Sequence, residues 1–428
     1  MKRVISLFLA ALMLASVALS ITSCDNGNNP IITDPITTTE ADESTVIITD
    51  PATTPATEDT SAPSTDTADI ATSEPVTEPV GSDVIIGFTN PLTGLPTETD
   101  VSLLRPISVS IDNVLKAQPT IGLSLADVVI ELPAEGFETR MLAVFLEYQN
   151  LPTIGNVRSI RDYGVRFAAD FDSIVFHAGS DTDANWLQLA GNAINYGFKV
   201  SYLIKKGEIK TASEREDLWV DEVDNVDSLN YYPTPMFRDL DRMYNMSTEH
   251  SLMLNAEVVL SSINYRSYRT TLNDGFTYPY TIGTNASAPE DGVAKTIQLP
   301  YNPYQTQSKV SYTYDEATGL YKRSNFDDKP SIDGLNNEQL AFKNVIILEV
   351  STTIFPNDSK NRLNVDYVGE GSGYYCANGK YESITWKRPE ADSELVICGS
   401  DGSVLDIVPG KVIINVYPAE YHDSIVIK

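Results

Sequence analysis

Histidine and cysteine are nearly absent from this chain, with three of each in 428 residues. Groups so sparse and so far apart do not supply the four-ligand spacing of a structural zinc site. Basic charge is also short: 30 Lys and Arg stand against 59 Asp and Glu, for a net charge of −29. That balance excludes non-specific binding to nucleic acid, which needs a basic footprint. No serine sits in the glycine-flanked pattern of a nucleophile elbow. Gly179-Ser180-Asp181 lacks the flanking glycines, so a hydrolase of that kind is not expected. From Asp25 to Gly87 there is no aromatic residue, no lysine and no arginine. Such a stretch cannot bury enough apolar area to offset the entropy of ordering.

What is present begins with a leader. Lys2 and Arg3 precede an almost wholly apolar run, Val4 to Leu19, and then Ile21-Thr22-Ser23-Cys24. The layout is that of a secretory signal, and the run is shorter than the about 20 apolar residues of a spanning helix. The segment resembles a bacterial lipoprotein signal. That resemblance implies removal of residues 1–23 and a lipid on Cys24, which becomes the mature N-terminus. Acyl chains contribute about 0.8 kcal/mol per buried methylene, enough for several chains on one cysteine to hold a protein at a membrane. The expectation is therefore a protein anchored in the outer leaflet and facing the extracytoplasmic side.

Residues 24–87 read as a disordered stalk rich in Thr, Pro and acidic residues. Ile31-Ile32-Thr33-Asp34-Pro35 recurs as Ile47-Ile48-Thr49-Asp50-Pro51, a spacer echo rather than a solenoid repeat. A flexible chain of this length spans on the order of 45 Å. Asp25 to Gly87 holds 13 acidic residues and no basic one; without it and the two basic residues of the leader, 46 acidic and 28 basic residues remain. The body is acidic in its own right.

One stretch of that body stands out. Glu131 to Arg166 packs Arg140, Arg158, Arg161 and Arg166 with Glu131, Glu135, Glu138 and Glu147 around the apolar run Met141 to Leu146. Guanidinium forks match phosphate and carboxylate geometry. Arg140, Arg158 and Arg161, with Arg105 upstream, are therefore candidate anion ligands. Asp112, Glu131 and Glu135 are candidate oxygen ligands for a divalent cation. The plain alternative is that these charges pair with one another. His177, at the end of an apolar run and near Asp181, is a candidate general base; a buried, hydrogen-bonded histidine is the plain alternative.

A body of about 340 residues exceeds the size at which single cores stop growing, so two domains are expected. The first, residues 88–265, is expected to be α/β or α+β. Strands are expected at Pro106–Ile111, Leu125–Leu132, Met141–Tyr148 and Ser173–His177, with a helix at Tyr163–Phe171. Residues 266–303, rich in polar turns, suggest a linker or insertion loops. The second domain, residues 304–428, reads as mainly β, with short β-branched or aromatic runs separated by Asn378-Gly379, Asp401-Gly402 and Pro409-Gly410. Cys376 and Cys398 are a possible disulfide, permitted outside the cell, or two separate buried thiols. Tyr231, Tyr232, Phe237 and Tyr244, and separately Tyr374, Tyr375, Tyr381 and Trp386, suit either ring stacking on a ligand or ordinary packing.

An ordered series of motifs then identifies a family. RPISVSIDN (Arg105–Asn113), QPTIGLSLADVVIE (Gln118–Glu131), EGFETRMLAVF (Glu135–Phe145), IGNVRSIRDY (Ile154–Tyr163) and FDSIVFHAGSD (Phe171–Asp181) resemble the YerB-type lipoprotein family. YTYDEATGLYKRS (Tyr312–Ser324) and GLNNEQLAFKNVII (Gly334–Ile347) continue the resemblance into that family's C-terminal half. Family members typically read IGPVRSAR where this chain has Asn156 and Ile160, a departure that spares both arginines. The resemblance implies a fold and a surface location but supplies no reaction, since the family is a two-part domain of unknown function. The expected role is binding or scaffolding at the envelope, with a cell-wall glycopolymer or an envelope protein as partner. The alternative is a metal-assisted enzyme acting on an anionic, phosphate-bearing envelope precursor, and only that alternative calls for a cofactor, a divalent cation. Convergent Arg and acidic groups in one open pocket would mark the enzyme; paired or dispersed ones would mark the scaffold.

Overall fold

Apolar runs with no polar alternation are what a strand needs when both its faces are covered, and three such runs form the middle of the protein. The computed structural model describes residues 87–178, 203–205, 208–210 and 236–428, apart from 266, 284, 285, 287, 306, 307, 355–360, 391 and 392. The leader, Cys24, the stalk, Asp181, Tyr231 and Tyr232 lie outside the described residues.

Sixteen strands build two main sheets. They are β1 Ile107–Asp112, β2 Val128–Pro133, β3 Thr139–Phe145, β4 Ile174–Phe176, β5 Gly292–Val293, β6 Thr296–Pro300, β7 Lys309–Asp315 and β8 Leu320–Asn325. They continue with β9 Lys329–Pro330, β10 Ala341–Phe342, β11 Asn344–Val350, β12 Gly369–Ala377, β13 Lys380–Arg388, β14 Val396–Cys398, β15 Val412–Pro418 and β16 Val426–Ile427. The ten-stranded sheet runs β5-β13-β12-β11-β15-β2-β3-β1-β4, with β14 also on β13. The six-stranded sheet runs β9-β8-β7-β6-β16, with β10 on β8. Every position of β2, β11 and β15 is buried.

The order of the large sheet changes the expected domain picture. β15, near the C-terminus, lies between β11 and β2 and is parallel to both. Segments 88–265 and 304–428 thus contribute adjacent strands to one sheet. Residues 266–303 are built in as well, since β5 edges the large sheet and β6 joins the small one. The physical reason is burial: β2 and β15 are apolar on both faces, and each covers the other's backbone hydrogen-bonding edge. Helices are fewer than an α/β reading expects. Among the described residues there are three, α1 Asp162–Ala169, α2 Leu240–Asn245 and α3 Val259–Tyr265. β2 returns to β3 through a short turn as an antiparallel neighbour, where a parallel partner would need a helical crossover.

Alternating side chains divide the interior into two cores. Val128, Ile130, Leu142, Val144, Ile346 and Leu348 face one core, which α1 covers with Val165, Phe167 and Ala168. Val129, Met141, Ala143, Ile347 and Ile413 face the other, covered by Ile297, Leu299 and Tyr312 of the small sheet. Buried charges tie the early and late segments together. Glu131 on β2 meets Arg323 on β8 at 2.8 Å, both side chains fully buried, and Asp170 meets Arg388 at 2.6 Å. The Asp333 carboxylate accepts from the backbone of Gly122 and Ser124 at 2.8 and 2.7 Å.

The disulfide option is not what the structure shows: Cys376 and Cys398 are both free and buried. Cys376 is level with Tyr381 and Cys398 with Thr385 on β13. Four residues of strand, about 13 Å, part those levels, whereas a disulfide needs Cα atoms within about 7 Å. Burial pushes the Cys376 thiol well above its ordinary value.

Candidate functional site

Six strands of the large sheet, β1, β2, β4, β11, β13 and β15, point the same way. Their carboxyl ends therefore share one edge of the sheet, the place where open α/β sheets bind ligands. β1 ends there in Asp112, which is paired in register with Arg140 at the start of β3. β2 ends in Pro133, and a tight turn, Glu135–Phe137, leads into β3. The segment 156–161 is laid along β1 by backbone bonds, Asp112 N donating to Asn156 O and Arg158 N to Ser110 O. These local contacts bring Arg140, Arg158, Arg161, Asp112 and Glu135 to the same edge.

The charges there are paired. Arg140 donates to Glu135 Oε2 at 3.2 Å and to the Ser159 carbonyl at 2.7 Å. Arg161 donates to Glu135 Oε1 and, at 3.2 Å, to the Ile160 carbonyl. One carboxylate thus joins two guanidinium groups. The space between Arg140, Arg161, Ser110, Ser159 and Tyr163 is about 10 Å³, room for at most a single water. Beside this knot, Asp112 Oδ2 lies 3.1 Å from Arg158 Nε and 2.8 Å from His250 Nδ1. Glu249 closes the group at 3.6 Å from Arg158 and 3.4 Å from His250 Nε2. Partial desolvation, and then the Asp112 charge, push Glu138 above the usual carboxylate range.

Three of the expected site residues lie apart from this cluster. Arg105 precedes β1, so it belongs at the opposite end of that strand, about 20 Å from Asp112. There it is fully buried and donates to the Asp172 carbonyl at 2.7 Å. Glu131 projects from the other face of β2, into the core under the small sheet. It accepts from Arg323 at 2.8 Å, Thr139 at 2.7 Å and Asn113 at 3.2 Å. Burial acts most strongly against the Arg323 charge, but Glu131, joined by Tyr312 and Tyr301, more than offsets it and the guanidinium stays above its ordinary value. His177 follows β4 at the carboxyl edge and is wholly enclosed.

His250 and Glu249 join the site from more than 130 positions after Asp112, and no local spacing announces them. Farther along the same edge is a concavity of about 480 Å³ lined by Glu349, Asp366, Glu370, Ser372, Trp386 and His422. His422 Nδ1 meets Glu349 Oε1 there at 2.5 Å. Of the aromatic groups, Tyr375 and Trp386 are buried, and Tyr374 packs edge-on against Tyr381. Phe237 and Tyr244 are exposed. Among the described residues no group of three or more His, Cys, Asp or Glu is placed to hold a metal ion, and no helix is long and apolar enough to cross a membrane.

Comparison with known proteins finds both halves of one family. Residues 92–213 match the family described as "Protein of unknown function (DUF3048) N-terminal domain". Residues 297–414 match its C-terminal domain. A Bacillus subtilis (strain 168) protein described as "Putative lipoprotein YerB" is 29% identical over 329 residues, which is 77% of this chain and 86% of that protein. The crystal structure of YerB from Bacillus subtilis superposes with a TM-score of 0.58 at 27% identity, covering 80% of this chain and 99% of that one.

Proposed function

Because this chain belongs to the two-part DUF3048 family, in which a relative is described as a lipoprotein, we propose that it is a lipid-anchored extracytoplasmic protein that binds or organises envelope components. The leader supports the anchor, with Lys2 and Arg3, a short apolar run and Cys24 in the order a lipoprotein signal requires. A cell-wall glycopolymer or an envelope protein is the proposed partner.

One observation carries the preference for binding over chemistry. Each of the three carboxylates expected as cation ligands is already engaged: Asp112 by Arg158 and His250, Glu131 by Arg323, and Glu135 by Arg140 and Arg161. To hold a divalent cation, these groups would first have to give up charge-assisted bonds, among the strongest a protein makes. Titration of Mn2+ into the full chain tests the reading. No stoichiometric site is expected at this edge. A stoichiometric site that disappears in Asp112→Asn would overturn the reading in favour of a metal-assisted enzyme.

A further inference from the structure

We propose that Glu135 is an internal stand-in for a phosphoryl group, which displaces it from Arg140 and Arg161. This deepens the binding reading above and rests on it. Both arginines are held by more than their shared carboxylate, since each gives one nitrogen to a carbonyl of the 159–160 segment, at 2.7 and 3.2 Å. The forks therefore keep their positions if Glu135 leaves, and a pre-organised pair of guanidinium groups binds an anion without first being ordered.

Glu135 itself is carried differently. It lies on the three-residue turn Glu135–Phe137, whose stem is closed by Ala134 N donating to Glu138 O at 2.6 Å. Gly136 and Phe137 are both left-handed, with φ of +67° and +63°. For a phenylalanine this conformation is strained. The Phe137 ring is held in place by burial and by an edge contact with Tyr421, ring centroids 5.5 Å apart. With Phe137 anchored and the Gly136 amide donating to the Asn361 carbonyl at 3.2 Å, the backbone of the turn stays put, and it is the part-exposed Glu135 side chain that can turn out of the knot while β2 and β3 stay paired. The edge is then plugged when Glu135 is in and open to a ligand when it is out.

The chemistry of the occupant follows from the donors. Two planar forks converge on one point at the carboxyl end of the sheet. A carboxylate offers them two oxygens and one negative charge. A phosphoryl group offers three oxygens and up to two charges, so it matches the pair more fully. Asp112, Glu138 and Glu249 stand nearby, but Asp112 and Glu249 are engaged by Arg158 and His250.

The test uses the full chain carrying Cys24→Ala, so that no acyl anchor contributes, with inorganic phosphate and pyrophosphate titrated by calorimetry. Weak binding is expected for this chain and about tenfold tighter binding once Glu135→Gln is added, the gain if Glu135 occupies the forks in about nine-tenths of molecules. Adding Arg140→Lys to that variant should cancel the gain, because lysine keeps the charge but loses the fork. Glu135→Ser, which also removes the carboxylate, gives a second measure if Glu135→Gln melts early. Vesicles with and without phosphatidylglycerol distinguish the source: a gain for both free phosphate and vesicles supports general phosphoryl recognition, and a gain on the anionic vesicles alone supports a lipid headgroup. The proposal is overturned if neither Glu135 variant gains affinity for any of these probes, or if the gain survives Arg140→Lys. Such a failure removes the ligand class only, since the Mn2+ titration reads the binding role separately.

Discussion

Arg323→Met strands the Glu131 carboxylate inside the protein. In the native chain both oxygens of Glu131 accept from Arg323, at 2.8 to 3.2 Å, with neither side chain exposed. Breaking a buried pair from one side costs about 3–5 kcal/mol. The protein can limit that cost by protonating the carboxyl, at about 1.36 kcal/mol for each pH unit above the ordinary glutamate value of about 4.3. The limit is about 3.7 kcal/mol at pH 7 and about 1 kcal/mol at pH 5, so the variant should lose stability as pH rises. With an unfolding entropy of about 2.1 cal/mol/K per residue over about 340 residues, the deficit at pH 7 lowers Tm by about 5 °C. Urea and thermal unfolding at the two pH values read both effects. Because Glu131 and Arg323 lie on strands from the two family halves, a single cooperative transition is expected. Adding Glu131→Leu should restore most of the loss, since a well-packed apolar pair often replaces a buried ion pair at little cost. A variant within about 1 kcal/mol of wild type at pH 7, or equally destabilised at both pH values, refutes the reasoning.

Two further outcomes follow. The hydrogen bond and charge of Glu349 raise His422 above its ordinary 6.5. A raised group contributes stability that is complete below its ordinary value and is lost as pH rises through the raised one. The clasp on residues 419–424 should therefore loosen on the alkaline side of 6.5, with an imidazole NMR midpoint above that value; a midpoint at or below it counts against the contact. Cys376 and Cys398 should both label with a thiol reagent after denaturation without reductant, and reductant should leave Tm unchanged. An intact mass lower by two hydrogens would contradict the free-thiol assignment.

The strands themselves were legible because burial on both faces leaves a plain mark: LADVVIEL (Leu125–Leu132) and MLAVFLEY (Met141–Tyr148) are read as strands from composition alone, and β2 and β3 lie largely on them. Their neighbours were not. That β15 pairs with β2 depends on a contact about 280 residues apart, and two apolar strands carry no label saying which edge each will cover. β5 and β6 were hidden in a polar stretch because one is a two-residue edge strand and the other is only half-buried along its length. At the candidate site, the knot of Arg140, Arg161 and Glu135 lies within 27 consecutive residues, and its chemistry is visible in that spacing. Glu131 sits in the same dense stretch, yet one step along a strand turns a side chain to the opposite face. That step sends it to Arg323, 192 positions away.

Location is the claim on which the rest of the functional account depends. Fractionation of cells expressing the full chain or its Cys24→Ala variant, with protease added outside, tests it most directly. The native chain should sediment with membranes and be cut by the external protease, whereas Cys24→Ala should appear in the medium. Retention of the variant on membranes, or protection of the native chain from the protease, would contradict the account.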